Sequence, residues 1–178
     1  MGRQYRAIDD KLADFILRQP LFFVATAAAD GRVNLSPKGM DSLRITGPNQ
    51  VVWLNLTGSG NETAAHLREN DRMTLMFCSF DEDPKILRLY GHARCLHPDD
   101  VDWDAHIGRF PALPGARQLL VMEVDLLQTS CGFGVPRFDY LGEREMLRDW
   151  AEKKGEEGLK TYWRERNRVS LDGKPTGL

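Results

Sequence analysis

The stretch Val24-Ala25-Thr26-Ala27-Ala28-Ala29-Asp30-Gly31-Arg32-Val33-Asn34-Leu35-Ser36-Pro37-Lys38-Gly39 decides the fold class. It holds two strand-like runs, Leu21 to Ala27 and Arg32 to Ser36, around Asp30-Gly31, and Asp-Gly between two such runs is the strongest short hairpin signal available. The second run ends oddly. Ser36-Pro37-Lys38-Gly39 offers a hydroxyl, a cation and a pliable backbone, while Pro37 lacks an N–H, so ladder pairing is expected to break there and leave room for an anion. The plainer alternative is a strand terminator with an exposed lysine.

Outward from this hairpin, strand candidates recur at short spacing with few helices between them. They are Asp41 to Thr46, Val51 to Leu56, Arg72 to Phe80, Lys85 to His97 and Gln118 to Thr129. This rhythm predicts a mainly β, antiparallel barrel or sandwich rather than a parallel α/β sheet. Upstream, Asp9 and Asp10 cap a helix with Leu12, Phe15 and Ile16 on one face and Pro20 at its end. A short helix is expected from about Asn61 to Asn70, and a brief one follows Pro98-Asp99-Asp100. After Gly142, Met146, Leu147, Trp150 and Ala151, then Leu159, Tyr162 and Trp163, keep helical spacing on either side of Gly155, so two tail helices are predicted. Residues 1–141 are read as the barrel domain and 142–178 as a helical extension packed on it.

Composition limits the partners. The 178-residue chain carries a net charge of −2, with 42% hydrophobic and 28% charged residues. No global field draws nucleic acid or anionic lipid to such a chain, and ligands must be recognised locally. The apolar run at Leu21 to Ala29 is far shorter than the roughly 20 residues that span a bilayer, and the first residues hold no apolar signal core, so a cytoplasmic address is expected. Cys78, Cys95 and Cys131 form no C-x-x-C pair, which argues for reduced thiols. His92, Cys95 and His97 lie close in sequence, but alternation along a strand turns His92 away from the other two, and no metal is expected. Neither G-x-S-x-G nor H-E-x-x-H occurs.

Two further stretches suit a phosphorylated, flat ligand. Asn55-Leu56-Thr57-Gly58-Ser59-Gly60-Asn61-Glu62-Thr63 leaves a strand and enters a helix, gathering hydroxyls and amides where the helix dipole is positive. Ser59 and Glu62 also have capping-box spacing, in which Glu62 would satisfy those donors itself. Thr129-Ser130-Cys131-Gly132-Phe133-Gly134-Val135-Pro136 follows the last strand, with glycines flanking an aromatic ring; it is either a ligand contact or a bend joining sheet to tail.

With these stretches in order, together with Asn70-Asp71-Arg72, Leu75-Met76-Phe77 and Ile86-Leu87-Arg88-Leu89-Tyr90-Gly91, the chain resembles the pyridoxamine 5'-phosphate oxidase-like FMN-binding split-barrel family, in its bacterial branch of short members. The resemblance implies a six-stranded antiparallel split barrel with peripheral helices, forming a homodimer with FMN in clefts between subunits. It implies that Asn34, Leu35, Ser36, Pro37 and Lys38 line the flavin and reach its phosphate, and that Leu54, Asn55, Thr57, Asn61, Glu62 and Thr63 contribute from the opposite side. Ser130, Cys131, Gly132, Phe133, Gly134 and Val135 would arrive from the partner subunit.

The true oxidases place Arg and Lys where this chain has Glu62 and Thr63, so phosphate binding here is either weaker or uses another cation, with Arg88 and Arg94 as candidates. The tail also lacks their arginine-bearing substrate motif. The implied activity is an FMN-dependent oxidoreductase acting on an unassigned small molecule, with no side chain assigned as catalytic. The alternatives are a flavin-binding redox sensor without turnover, or a split barrel holding a deazaflavin or haem.

Overall fold

The computed structural model describes residues 2–178. Eight strands form one antiparallel sheet: β1 (Arg3–Tyr5), β2 (Phe22–Thr26), β3 (Asn34–Lys38), β4 (Leu43–Gly47), β5 (Gln50–Leu56), β6 (Arg72–Cys78), β7 (Lys85–Leu96) and β8 (Ala116–Cys131). Four helices accompany them: α1 (Asp10–Arg18), α2 (Glu62–Leu67), α3 (Trp103–Ile107) and α4 (Met146–Tyr162). The order across the sheet is β3-β2-β6-β7-β8-β5-β4, and β1 also pairs with β8. The long β8 organises this arrangement. It pairs with β7 from Leu119 to Cys131, while its other side takes β5 along its first half and β1 at Leu127 to Thr129.

Strand alternation makes the barrel interior. Val24, Val51, Trp53, Leu75, Phe77, Leu87, Leu89, Leu120 and Met122 point inward, and α1 closes the core with Leu12, Phe15 and Ile16. Each fully buried side chain of this kind contributes roughly 1.5–3 kcal/mol by leaving water. The same helix is capped as its sequence demands, with the Asp9 carboxylate accepting from the Leu12 amide at 2.9 Å. On the reverse face of β5 and β8, Val52, Leu54, Leu119 and Val121 pack under Phe110, Trp103 and Ile107. Buried on both faces, β5 reads as a continuous apolar run.

Three expectations are corrected. The barrel has eight strands, not six; β1 escapes a sequence reading because Arg3–Tyr5 is short and polar, and β8 alone holds it in place. The strand predicted from Arg32 to Ser36 instead covers Asn34–Lys38 and stays paired through Ser36, Pro37 and Lys38, opposite Val24, Phe23 and Phe22. An edge strand tolerates that proline because only one of its sides carries a ladder. The helix expected from about Asn61 to Asn70 is shorter, Glu62–Leu67.

The tail helices come as one element broken where Gly155 adopts φ 63°. A π-helical turn, Trp163–Asn167, follows, and the chain then doubles back over the first hairpin. Asp172 pairs with the Arg32 guanidinium and accepts from the Arg32 amide at 2.7 Å, while Lys174 reaches Asp30 at 2.6 Å and Glu69 at 2.8 Å.

Between Tyr90 and Gly91 the β7–β8 register slips past Asp125, forming a bulge. A Cβ at Gly91 would run into the Glu123 carbonyl. Gly91→Ala is therefore expected to lower stability by about 1–3 kcal/mol in urea unfolding; wild-type stability would contradict this packing.

Candidate functional site

Alternation on β3 turns Asn34, Ser36 and Lys38 toward the protein and leaves Leu35 and Pro37 exposed on the other face. The inward three form one wall of a cleft of about 240 Å³. Trp53, Asn55 and Leu56 of β5 form its floor, and Gly58, Ser59, Gly60, Asn61, Glu62 and Thr63 carry the wall round to the start of α2. Its remaining lining residue is Arg117, the second residue of β8.

Polar contacts fix this lining. Asn34 donates to the Thr63 hydroxyl at 3.2 Å, and Ser36 donates to Asn34 Oδ1 at 3.4 Å. The buried Asn55 amide donates to Asn61 Oδ1 and Gln118 Oε1, each at 3.2 Å. The ammonium of Lys38 lies 5.0 Å from the centre of the Trp53 ring, in the range of a cation–π contact.

Arg117 is the unusual member. It is 2% exposed, yet its partners are neutral: Nη1 donates to Asn167 Oδ1 at 2.6 Å, and both terminal nitrogens donate to the Gly60 carbonyl at 3.3 Å. Among the described residues, its Nε meets no acceptor, nor does Asn61 Nδ2. Burial holds the guanidinium down to about 10. Burial, and then repulsion from Arg117, brings the Lys38 ammonium down to about 8. No carboxylate contributes to either shift.

The one carboxylate lining the cleft is engaged elsewhere. Glu62 accepts from the Leu171 amide, with both oxygens at 3.1 Å. The capping box expected with Ser59 is not formed, and the N-cap residue Asn61 makes no side-chain bond to the helix. The helix start thus keeps its amides free of an internal carboxylate.

The residues proposed from sequence divide into groups. Asn34, Ser36, Lys38, Asn55, Asn61, Glu62 and Thr63 meet at this cleft. Leu35 and Pro37 face away, and Leu54 packs into the cluster behind β5. Thr57 is a buried structural hydroxyl that donates to the Gly115 carbonyl at 2.8 Å and accepts from Trp163 Nε1 at 2.7 Å. Ser130, Cys131, Gly132, Phe133, Gly134 and Val135 do not line this cleft within the chain.

Neither cation candidate lines it: Arg88 donates to the Ser130 hydroxyl at 3.1 Å, and Arg94 pairs with Asp102 at 2.8 Å. The second cation that lines it, beside Lys38, is Arg117, which the sequence reading missed. Its only signal is an Arg-Gln pair at the head of the apolar run Leu119 to Met122. Among the described residues, His92 sits between Asp71 and Asp125, while Cys95 Sγ lies 3.8 Å from His97 Nε2.

Comparison with known proteins agrees with this architecture. The family model for pyridoxamine 5'-phosphate oxidase matches residues 8–131. A pyridoxamine 5'-phosphate oxidase family protein of Aspergillus flavus, ustO, is 39% identical over 191 residues, covering 96% of this chain and 76% of that protein. The crystal structure of HupZ from Group A Streptococcus superposes with a TM-score of 0.55 at 20% identity, covering 67% of this chain and 91% of that one. A FAD-binding protein from Mesorhizobium loti gives 0.52 at 12% identity, covering 72% and 97%. These two structures share the fold. By the family model and the fungal relative, the chain belongs to the pyridoxamine 5'-phosphate oxidase family.

Proposed function

We propose that the chain binds FMN, with its phosphate in the cleft between β3 and the start of α2, and acts as a cytoplasmic FMN-dependent oxidoreductase on a small molecule. The observation that carries this reading is the pair Lys38 and Arg117, two desolvated cations lining one cleft with no carboxylate paired to either. A phosphomonoester bears about −1.5 to −2 charge near neutral pH and relieves both. The buried, unpartnered Arg117 Nε and Asn61 Nδ2 are donors suited to the same group.

Each residue then has a role set by its position. Lys38 and Arg117 neutralise the phosphate, Ser36 and Thr63 offer hydroxyls, and Asn34 and Asn55 orient the lining through the bonds described above. When bound, the flavin supplies hydride or electron transfer; the protein supplies position and electrostatics. The family membership and the FAD-binding relative from Mesorhizobium loti support a flavin.

A homodimer belongs to the same reading. Val33, Leu35, Phe133, Phe138, Leu141 and Met146 are exposed apolar side chains suited to burial by a second copy. The segment from Ser130 to Val135 lies off its own chain's cleft, so a flavin contact from it would come from the partner. No helix among the described residues is long and apolar enough to cross a membrane.

Purified protein is expected to be yellow, to release FMN identifiable by mass spectrometry, and to be dimeric by light scattering. Anaerobic reduction by NADH or NADPH followed by acceptor turnover separates an oxidoreductase from a passive flavin carrier. Colourless protein that leaves the fluorescence of added FMN unchanged would refute the reading.

The pH dependence follows from Lys38. Its folded-state value of about 8 lies below the ordinary 10.5, so ligand-free protein bears the cost of a buried charge below 8 and is relieved of it between 8 and 10.5. Bound phosphate favours the protonated amine. FMN affinity is therefore expected to fall about tenfold per pH unit as pH climbs above about 8. In Lys38→Met that alkaline limb should vanish, as measured by fluorescence titration; an unchanged limb would remove Lys38 from the phosphate site.

A further inference from the structure

We propose that the C-terminal segment is part of the anion site, with Asn167 as the positioning residue that aims Arg117 into the cleft without neutralising it. The inference rests on the phosphate reading above for the identity of the natural ligand, and on the following geometry for the site itself.

Asn167 closes the π-helical turn and is fully buried. Such turns widen the helix by one residue and often mark functional positions. Its side chain works in two directions. Oδ1 accepts from Arg117 Nη1 at 2.6 Å, while Nδ2 donates to the carbonyls of Gly58 at 3.2 Å and Ser59 at 3.5 Å. Arg117 in turn donates to the Gly60 carbonyl. Asn167 and Arg117 together thus bind the carbonyls of three consecutive residues of the loop lining the cleft, Gly58 and Ser59 through the amide and Gly60 through the guanidinium. Asn167 is held in place by Thr176, whose hydroxyl donates to the Asn167 carbonyl at 2.6 Å.

The chemistry of the partner matters. An amide oxygen orients a guanidinium and leaves its charge available, whereas a carboxylate there would form a buried ion pair and cancel its field at the cleft. The same segment also deals with the opposite charge: the Leu171 amide holds the Glu62 carboxylate, the one acidic group that lines the cleft. The tail therefore directs a cation inward and occupies the anion that would compete for it. Ion pairs of Asp172 with Arg32, and of Lys174 with Asp30 and Glu69, fasten the segment over the hairpin.

The test compares wild type with Asn167→Asp and Arg117→Met, the second replacing a buried charge by an apolar side chain of similar length. Each is titrated with FMN and with riboflavin by fluorescence, and its melting temperature is measured with and without inorganic phosphate. Both variants are expected to lose roughly tenfold or more in FMN affinity with riboflavin affinity unchanged, and phosphate should raise the melting temperature of wild type alone. A folded Asn167→Asp or Arg117→Met variant that keeps wild-type FMN affinity, or loses FMN and riboflavin in equal proportion, overturns the proposal. If wild type binds neither flavin, the functional reading fails and the phosphate arm decides the site: stabilisation present in wild type and lost in both variants upholds it, and no stabilisation of wild type overturns it.

Discussion

Lys38 and Arg117 are desolvated together, from β3 and β8, and neither has a carboxylate partner. Removing a charge from water costs several kcal/mol unless a counter-charge or a set of hydrogen bonds offsets it. For Arg117 the offset is partial: the Gly60 carbonyl and the Asn167 amide accept three bonds, and Nε is left with none. For Lys38 it is the face of Trp53. A fold organised only for stability would place a glutamate between them, and the available glutamate, Glu62, is bound instead to the tail. The missing counter-charge is what the proposed phosphate would supply.

The rest of the architecture serves to bring these groups together. The long β8 places Arg117 beside β5, while β2 carries β3 and hence Lys38 at the sheet edge. Because β3 has a neighbour on one side only, its inward face is open to ligand over Asn34, Ser36 and Lys38. The loop from Gly58 to Gly60 stays open without a capping box because Asn167 and Arg117 bind its carbonyls. The tail thus supports one cation, Arg117 of β8, beside this helix start.

Much of this is legible in the sequence. The hairpin, the strands β5 to β8, the capping of α1 and the break at Gly155 follow from local rules of turn chemistry, strand composition and periodicity. The meeting of the first hairpin with the loop at Gly58 to Thr63 was implied by the family resemblance and not by those rules. What local rules missed was set by tertiary context. The short β1 is specified by its partner strand. Pro37 was read as ending a strand because its edge position, which makes it harmless, depends on the whole sheet order. Arg117 precedes the strand predicted from Gln118 and drew no reading, and the partner that holds it, Asn167, lies 50 residues away in sequence. Glu62 had capping-box spacing, yet a backbone amide 109 residues distant takes its carboxylate.

A crystal structure of the protein with FMN tests the central claim most directly. The account predicts the phosphate within hydrogen-bond distance of both Lys38 Nζ and the Arg117 guanidinium, with the Glu62 carboxylate still held by Leu171. A flavin whose phosphate lies outside this cleft, with Glu62 turned inward to pair with Lys38 or Arg117, would contradict it.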